Sequence, residues 1–168
     1  HLYDKLILPG VGAYGDAMEH LKERSMDEAI REYAASGAPM LGICLGMQLL
    51  FESSQEFGHH EGLGLIKGHV QAFEKERFDH PLKIPHMGWN RMFTHEHPLF
   101  DGLDDEHYLY FVHSYHVVCE DPRNTIGRTE YGYSFTSAVA NGNVMGIQPH
   151  PEKSHKNGLK ILQNFINL

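Results

Sequence analysis

The stretch Gly42-Ile43-Cys44-Leu45-Gly46-Met47-Gln48-Leu49-Leu50-Phe51 predicts a strand that turns directly into a helix. The preceding run Pro39-Met40-Leu41 is typical of the end of a buried strand, and the apolar residues after the turn recur at helical spacing. Glycines flank the cysteine at the turn, where the backbones approach too closely for side chains. This pattern is that of a nucleophile elbow with sulfur as the nucleophile. It favours a reactive cysteine over the buried structural role that an arbitrary cysteine usually has.

The elbow also predicts the groups around its cysteine. Cys44 is expected at the N-terminus of the following helix, where unpaired N–H groups and the helix dipole favour a thiolate over a thiol. The N–H of Leu45 is placed to donate to an oxyanion. Gln48 lies four residues after Cys44, so on a helix both share one face and Gln48 can reach the group under attack.

The composition predicts one globular domain, residues 1–168, with 41% hydrophobic and 21% charged residues. The formal net charge of −8 argues against a nucleic acid or an anionic membrane surface as partner. No run is long enough to span a membrane. The chain has only 2 cysteines, too few for a disulfide framework. Because a catalytic thiolate survives only in a reducing environment, a cytoplasmic location is expected. Its 14 histidines do not by themselves imply a metal, and no cofactor motif is visible.

The region before the elbow predicts a strand, a glycine loop and helix. Leu6-Ile7-Leu8 is typical of a short buried strand entering the loop Pro9-Gly10-Val11-Gly12. Alone, such a loop usually means a turn, but it can also aim N–H groups at an anion, and the N–H of Val11 or Gly12 is the candidate second oxyanion donor. Residues 14–35 predict one amphipathic helix or two short ones. The βαβα order predicts an α/β fold whose chemistry lies at the C-terminal ends of parallel strands.

The middle of the chain predicts a smaller antiparallel section. We expect strands at 68–73, 82–85, 108–118, 125–127, 135–139 and 144–148, with a hairpin turn at Asn141-Gly142. The glycine-rich residues 57–65 predict a loop, and its adjacent His59 and His60, like His95-Glu96-His97, are interpreted as polar surface residues rather than metal ligands. Pro85-His86-Met87-Gly88-Trp89-Asn90 fits a core loop and an interface anchor equally well.

A second reactive motif, Pro149-His150-Pro151-Glu152-Lys153-Ser154, follows the last predicted strand. The two prolines fix the chain around His150. Glu152 is close enough to bond the second ring nitrogen and hold its tautomer, so Cys44, His150 and Glu152 form a candidate nucleophile, base and orienting group. Residues 154–168 predict a closing amphipathic helix.

These motifs together resemble the class I (triad-type) glutamine amidotransferases. The stretches Pro85 to Asn90 and Tyr110-Phe111-Val112-His113-Ser114-Tyr115 are further similar to the glutaminase subunits of imidazole glycerol phosphate synthases of histidine biosynthesis. The resemblance runs over essentially the whole chain. It implies a three-layer α/β fold with a mostly parallel central sheet, flanking helices and a small antiparallel section. Because that family begins with a further strand and helix, the chain is expected to be N-terminally truncated.

The resemblance implies a reaction and a set of site residues. Cys44 would attack the carboxamide of glutamine, His150 would pass the proton to the leaving ammonia, Glu152 would orient His150, and water would cleave the glutamyl thioester. No cofactor is implied. The implied oxyanion hole comprises Leu45, Val11 and Gly12, and the implied substrate contacts are Gly10, Gln48, Ser114 and Tyr115.

The resemblance also implies a partner. In the family, ammonia passes within a heterodimer to a cyclase subunit with a (β/α)8 barrel, which makes imidazole glycerol phosphate and an aminoimidazole carboxamide ribotide (AICAR). The residues implied to face this cyclase are His86, Met87, Gly88, Trp89, Asn90 and Lys153.

Two other functions stay open at this point. Pro149 stands where the family usually has an aromatic residue, and with the missing N-terminus this favours a catalytically impaired regulatory or scaffold subunit of the same fold. The alternative is an amidotransferase for carbamoyl phosphate, anthranilate or aminodeoxychorismate synthesis, or a γ-glutamyl hydrolase. The stretch Met87-Gly88-Trp89-Asn90 argues against this alternative.

Overall fold

A mixed β-sheet of ten strands lies between helices on its two faces in the computed structural model, which describes residues 3–168. The helices are α1 (Tyr14–Glu23), α2 (Met26–Ala35), α3 (Leu45–Leu49) and α4 (His155–Ile166). The strands are β1 (Leu6–Leu8), β2 (Met40–Ile43), β3 (Phe51–Ser54), β4 (His60–Glu61), β5 (Ile66–Ala72), β6 (His86–Arg91), β7 (Phe93–Thr94), β8 (Tyr108–His113), β9 (Tyr115–Cys119), β10 (Thr125–Glu130), β11 (Ser134–Asn141) and β12 (Val144–Ile147).

The strand order in the large sheet is β1-β2-β12-β11-β9-β5-β3-β4, and β10 joins β11 to β7. Strands β6 and β8 form a separate antiparallel pair. Within the described chain, β1, β2 and β12 pair in parallel, as do β3 and β5, while the other neighbours are antiparallel. The predicted α/β class is confirmed. Antiparallel pairing covers more of the sheet than the small section expected.

Alternate residues of the central strands face two different helical layers, as the pleat of a strand requires. Met40 of β2 packs in one core with residues of α1, α2 and α3. Its neighbour Leu41 packs in the other core, to which α4 contributes Ile161 and Phe165. The two cores hold the sheet from both sides and make the ends of β2 and β12 a rigid base for the residues that follow them.

The helix after the elbow lies directly on the sheet because two neighbouring strands carry glycine at the same level. Gly42 of β2 and Gly146 of β12 are register partners. A Cβ on Gly42 would lie 2.7 Å from the carbonyl oxygen of Gly46, and one on Gly146 would overlap the side chain of Met47. The close approach of α3 to the sheet therefore requires glycine at both positions.

Several predicted elements are confirmed and others are wrong. Residues 14–35 form two helices, the hairpin turn lies between β11 and β12, and α4 closes the chain. The strand expected at 82–85 is absent, because Pro81 just before it and Pro85 at its end both lack the N–H that pairing needs. The helix after Cys44 stops at Leu49, since Phe51 pairs in parallel with Ile66. No helix in the described part of the chain has the length and apolar character needed to cross a bilayer.

Candidate active site

Cys44 lies at the turn from β2 to α3 in a strained backbone conformation. Its φ is 54° and its ψ is −113°, a left-handed region that costs a non-glycine residue on the order of 1–3 kcal/mol. The N–H of Cys44 donates to the carbonyl of Ile147 at 2.9 Å, and its carbonyl accepts from the N–H of Gln48 at 3.2 Å. These bonds hold the strained residue in place. The predicted strand-to-helix turn is confirmed.

Cys44 and His150 line the same cavity, which has a volume of about 410 Å³. This volume suits a small polar metabolite such as a free amino acid. The two residues come from the C-terminal ends of adjacent parallel strands, β2 and β12. The other lining residues are Val11, Gly12, Leu45, Gln48, Glu56, Phe57, Val112, His113, Ser114 and Tyr115.

His150 is anchored through both its backbone and its ring. Its N–H donates to the carbonyl of Tyr110 at 2.9 Å, and its carbonyl accepts from the Ser154 hydroxyl at 2.6 Å. Its Nδ1 lies 2.6 Å from Oε1 of Glu152, so Nδ1 carries the proton donated to this carboxylate and Nε2 keeps a lone pair. The missing donor of Pro149 falls between the bonded N–H groups of Gln148 and His150, and it disturbs neither of these anchors.

The thiol of Cys44 is protonated in this environment, contrary to the thiolate expected from the sequence. Burial raises the pKa of Cys44 to about 11, although the N–H of Leu45 and the amide of Gln148 favour the anion. The expected helix dipole is weak because α3 has only 5 residues. Ionisation of Cys44 therefore needs a nearby base.

Gln48 and Glu56 line the cavity, and the fully buried Gln148 lies behind them, in contact with Gln48 and Cys44. The Nε2 group of Gln48 donates to the carbonyl of Tyr115 at 3.2 Å and to Oε1 of Gln148 at 3.1 Å. Nε2 of Gln148 lies 3.6 Å from Sγ of Cys44. Gln148 and Glu56 were not predicted from the sequence. The position of Gln148 at the end of the strand that leads to His150 was a usable signal, whereas nothing local marked Glu56.

The predicted oxyanion and substrate residues fall into two groups. Val11, Gly12 and Leu45 line the cavity, as do Ser114 and Tyr115. Gly10 is not among the lining residues; a Cβ there would lie 3.3 Å from Cβ of Leu45, so Gly10 allows the loop to pack on the elbow. Gly10 therefore packs the loop against the elbow, and the expected contact between Gly10 and the substrate is not supported.

The stretch expected to face a partner is strand β6, whose residues alternate between solvent and interior. Met87 and Trp89 are 61% and 48% exposed, whereas His86 is 2% exposed. The prediction that His86 faces a partner is therefore wrong, because its ring points inward from the pleat. Lys153 is exposed and lies 5.9 Å from the ring centroid of Tyr110. We call the exposed side of β6 and β8, formed by Met87, Trp89, Tyr108 and Tyr110, the apolar face.

Comparison with known proteins identifies relatives along the whole chain. The family model of glutamine amidotransferase class-I matches residues 2–168. Imidazole glycerol phosphate synthase subunit HisH of Sulfurimonas denitrificans is 77% identical over 163 residues, which are 97% of this chain and 79% of that protein. The HisH subunit of Wolinella succinogenes is 56% identical over 167 residues, which are 99% of this chain and 82% of that protein.

Solved structures support the fold at low sequence identity. PurLQS from Thermotoga maritima matches with a TM-score of 0.72 and 23% identity, covering 98% of this chain and 79% of that chain. A glutamine amidotransferase from the same organism matches with a TM-score of 0.66 and 16% identity, covering 98% of this chain and 63% of that chain. At such identities the likeness shows a shared fold alone.

Proposed function

The chain belongs to the class I glutamine amidotransferase family, and from this premise we propose that it is the glutaminase subunit of an imidazole glycerol phosphate synthase in histidine biosynthesis. It hydrolyses glutamine to glutamate and ammonia, and a cyclase partner uses the ammonia. The observation that carries the proposal is the shared cavity of Cys44 and His150, with Glu152 bonded to the far ring nitrogen.

The reaction begins with proton transfer from the Cys44 thiol to Nε2 of His150. The sulfur attacks the side-chain carboxamide carbon of glutamine, and the carbonyl π electrons move to its oxygen. The N–H of Leu45 and a second N–H from Val11 or Gly12 stabilise this oxyanion. Glu152 keeps the proton of His150 on Nδ1 and stabilises the imidazolium that forms.

The second half of the reaction releases the products. The imidazolium of His150 donates its Nε2 proton to the amide nitrogen, the carbon–nitrogen bond breaks, and ammonia leaves a glutamyl thioester on Cys44. His150 then removes a proton from water as the water attacks the thioester. Collapse of this second intermediate releases glutamate and restores the thiol.

Substrate binding involves the polar groups on the far side of the cavity. Glu56 is buried at the wall and is the carboxylate available there for the α-ammonium of glutamine. Burial raises the pKa of Glu56, which a cationic ligand group would reverse. Gln48 and the backbone of Ser114 and Tyr115 hold the remaining polar groups of the substrate.

The Val11–Gly12 loop makes turnover dependent on the partner. Val11 is 81% exposed, and Gly12 has a φ of 100° with no atom outside its chain neighbours within 4 Å of where a Cβ would lie, so a peptide flip here meets little resistance. A flip that presents or withdraws one oxyanion donor changes the barrier by about 3–4 kcal/mol in other hydrolases. The isolated chain is therefore expected to be nearly inactive until the cyclase binds.

The apolar face is the proposed docking surface for the cyclase. Met87, Trp89 and Tyr108 are each about half or more exposed, which suits the buried centre of an interface. Lys153 lies over the Tyr110 ring of this face and follows Glu152 directly in the chain, so the apolar face adjoins the catalytic residues. Ammonia released in the cavity would leave toward this side.

Glutamine hydrolysis by the wild-type chain mixed with a (β/α)8 cyclase subunit tests the proposal. We expect glutamate release to rise by at least about a hundredfold over the isolated chain and to vanish in Cys44→Ala. The Cys44→Ala chain should still bind the cyclase. A thiol-alkylating glutamine analogue should label Cys44 in the wild type. Absence of both turnover and labelling in the complex would instead favour a catalytically inert scaffold subunit.

A further inference from the structure

Two buried histidines that the proposed mechanism does not use form a hydrogen-bonded relay that starts at the cavity wall. Nδ1 of His113 lies 2.8 Å from the carbonyl oxygen of Tyr115. Nε2 of His113 lies 2.8 Å from Nδ1 of His86, its register partner on the neighbouring strand. Nε2 of His86 lies 3.1 Å from Nδ2 of Asn90. We call the chain Asn90–His86–His113 the histidine relay.

The direction of every bond in the histidine relay follows from its two ends. A backbone carbonyl only accepts, so His113 carries its proton on Nδ1 and offers a lone pair at Nε2. His86 must then donate from Nδ1, which leaves its own Nε2 to accept from Asn90. The amide of Asn90 is oriented independently, because Nδ2 donates to the carbonyl of Glu130 at 2.8 Å and Oδ1 accepts from the N–H of Arg91 at 2.8 Å.

The packing of the two rings holds the relay in an uncharged state. His86 is stacked between the rings of Phe111 and Tyr131, at centroid distances of 4.8 Å and 4.2 Å. Burial lowers the pKa of His86 to about 4 and that of His113 to about 3. The groups near His113 that can carry positive charge are His86, His116 and His150, and each further disfavours its protonation. Both histidines are therefore neutral at physiological pH.

The cavity end of the relay reaches the neighbours of the nucleophile. The carbonyl of Tyr115 accepts from His113 and, at 3.2 Å, from Nε2 of Gln48. Gln48 in turn bonds Gln148, whose amide lies 3.6 Å from Sγ of Cys44. His113 therefore fixes the Tyr115 carbonyl, and this carbonyl fixes the carboxamide of Gln48. Both amide protons of Gln48 are then used, one on Tyr115 and one on Gln148.

We propose that His113 and His86 are positioning residues, an uncharged relay that sets the Tyr115 carbonyl and thereby aligns Gln48 for glutamine binding. This proposal rests on the proposed glutaminase function. The far end of the relay, Asn90, follows the exposed Trp89 on β6, so the relay ends directly beneath the apolar face. A residue that only fills space at His113 would not need ring nitrogens within hydrogen-bond distance of both the Tyr115 carbonyl and His86.

The first test is independent of activity. In the ¹⁵N-histidine-labelled chain, two-bond ¹H–¹⁵N spectra should show His86 and His113 as neutral Nδ1–H tautomers, unchanged between about pH 7.5 and pH 5.5. His86→Asn and His113→Asn assign the two signals. An Nε2–H tautomer at either residue, or an imidazolium in this pH range, would overturn the relay.

The second test is the kinetics of glutamine hydrolysis by the complex with the cyclase. His113→Leu should raise KM for glutamine about 5–10-fold and leave kcat within about twofold, as expected for one hydrogen bond lost from a binding group. His113→Asn keeps a donor at the Nδ1 position and should restore KM to within about twofold of wild type. His86→Leu, which removes the second histidine, should raise KM in the same direction.

His116→Leu is the matched control. His116 is 3% exposed and packs against Phe73 and Phe135, as His113 does, but its Nε2 bonds the hydroxyl of Tyr133 at 2.7 Å, outside the relay. The His116→Leu variant should be less stable than the wild type but have the same KM for glutamine. Equal KM values for His113→Leu and His116→Leu would refute the positioning role while the glutaminase function stands. A wild-type complex without turnover would refute the glutaminase function, and the tautomer measurement would still decide the relay.

Discussion

The buried thiol of Cys44 makes a quantitative prediction about its reactivity. Burial raises its pKa from the ordinary value of 9.0 to about 11. At about pH 7.5 the thiolate fraction then falls from about 3% to about 0.03%, so alkylation should be about a hundredfold slower than at an unperturbed cysteine. The rate should rise about tenfold per pH unit up to about pH 10. The isolated chain would then hydrolyse glutamine slowly, even with an open cavity.

Iodoacetamide labelling followed by intact-mass spectrometry measures this rate. Cys119→Ser leaves Cys44 as the sole cysteine, and Cys44→Ala/Cys119→Ser gives the background. Because the raised pKa means that the unfolded chain loses the thiol proton first, the free energy of unfolding should also fall above about pH 9. A labelling rate that levels off near pH 8 would show that Cys44 is a thiolate in the resting chain and that its burial does not control its ionisation.

Three further predictions concern the base, the relay and the docking surface. Glu152→Gln should lower kcat for glutamine hydrolysis by about 10²–10⁴ with little change in KM, because the amide no longer stabilises the imidazolium of His150; a kcat within twofold of wild type would contradict the orienting role. The lowered pKa values of His86 and His113 mean that the unfolded chain takes up their protons below about pH 6.5 while the folded chain does not, so the free energy of unfolding should fall with decreasing pH by up to about 3 kcal/mol per pH unit. Urea unfolding at about pH 7.5 and 5.5 measures this loss of stability, which should be smaller in His113→Leu than in the wild type. An equal loss in the two proteins would contradict the lowered pKa of His113. Trp89→Ala should weaken binding to the cyclase by at least about tenfold in calorimetry and leave the melting temperature unchanged, since half-exposed Trp89 stacks on the ring of His155 rather than in either core. Unchanged affinity would place the docking surface elsewhere.

The parts of the site that could be predicted from the sequence are those specified by short local motifs. Glycines at 42 and 46 around a cysteine specify a strand-to-helix turn, and prolines at 149 and 151 specify a rigid strand end. These patterns depend on residues a few positions apart. The elbow, the hairpin turn at Asn141-Gly142 and the closing helix were therefore correct within a few residues.

The features that sequence missed come from pairing between distant segments. The run of residues 108–118 is uniformly strand-forming, yet it divides at Ser114 because its first half pairs with β6 and its second with β5 and β11. The bond between His86 and His113 follows from that register alone. Gln148 acquires its place beside Cys44 only when β12 pairs with β2. The two residues of each pair, His86 with His113 and Gln148 with Cys44, are too far apart in sequence for a local pattern to predict their contact.

The buried thiol and the exposed glycine loop together favour a glutaminase that is idle without its partner. A protonated Cys44 limits attack on glutamine, and an exposed Val11–Gly12 loop whose N–H groups point away from the cavity would limit stabilisation of the oxyanion. The first limit is removed when His150 takes the proton of Cys44, and the second when a peptide flip of the loop turns an N–H toward the oxyanion. Free ammonia would be lost to solvent if the chain turned over alone. A resting state with a neutral nucleophile therefore fits the proposed transfer of ammonia to a cyclase.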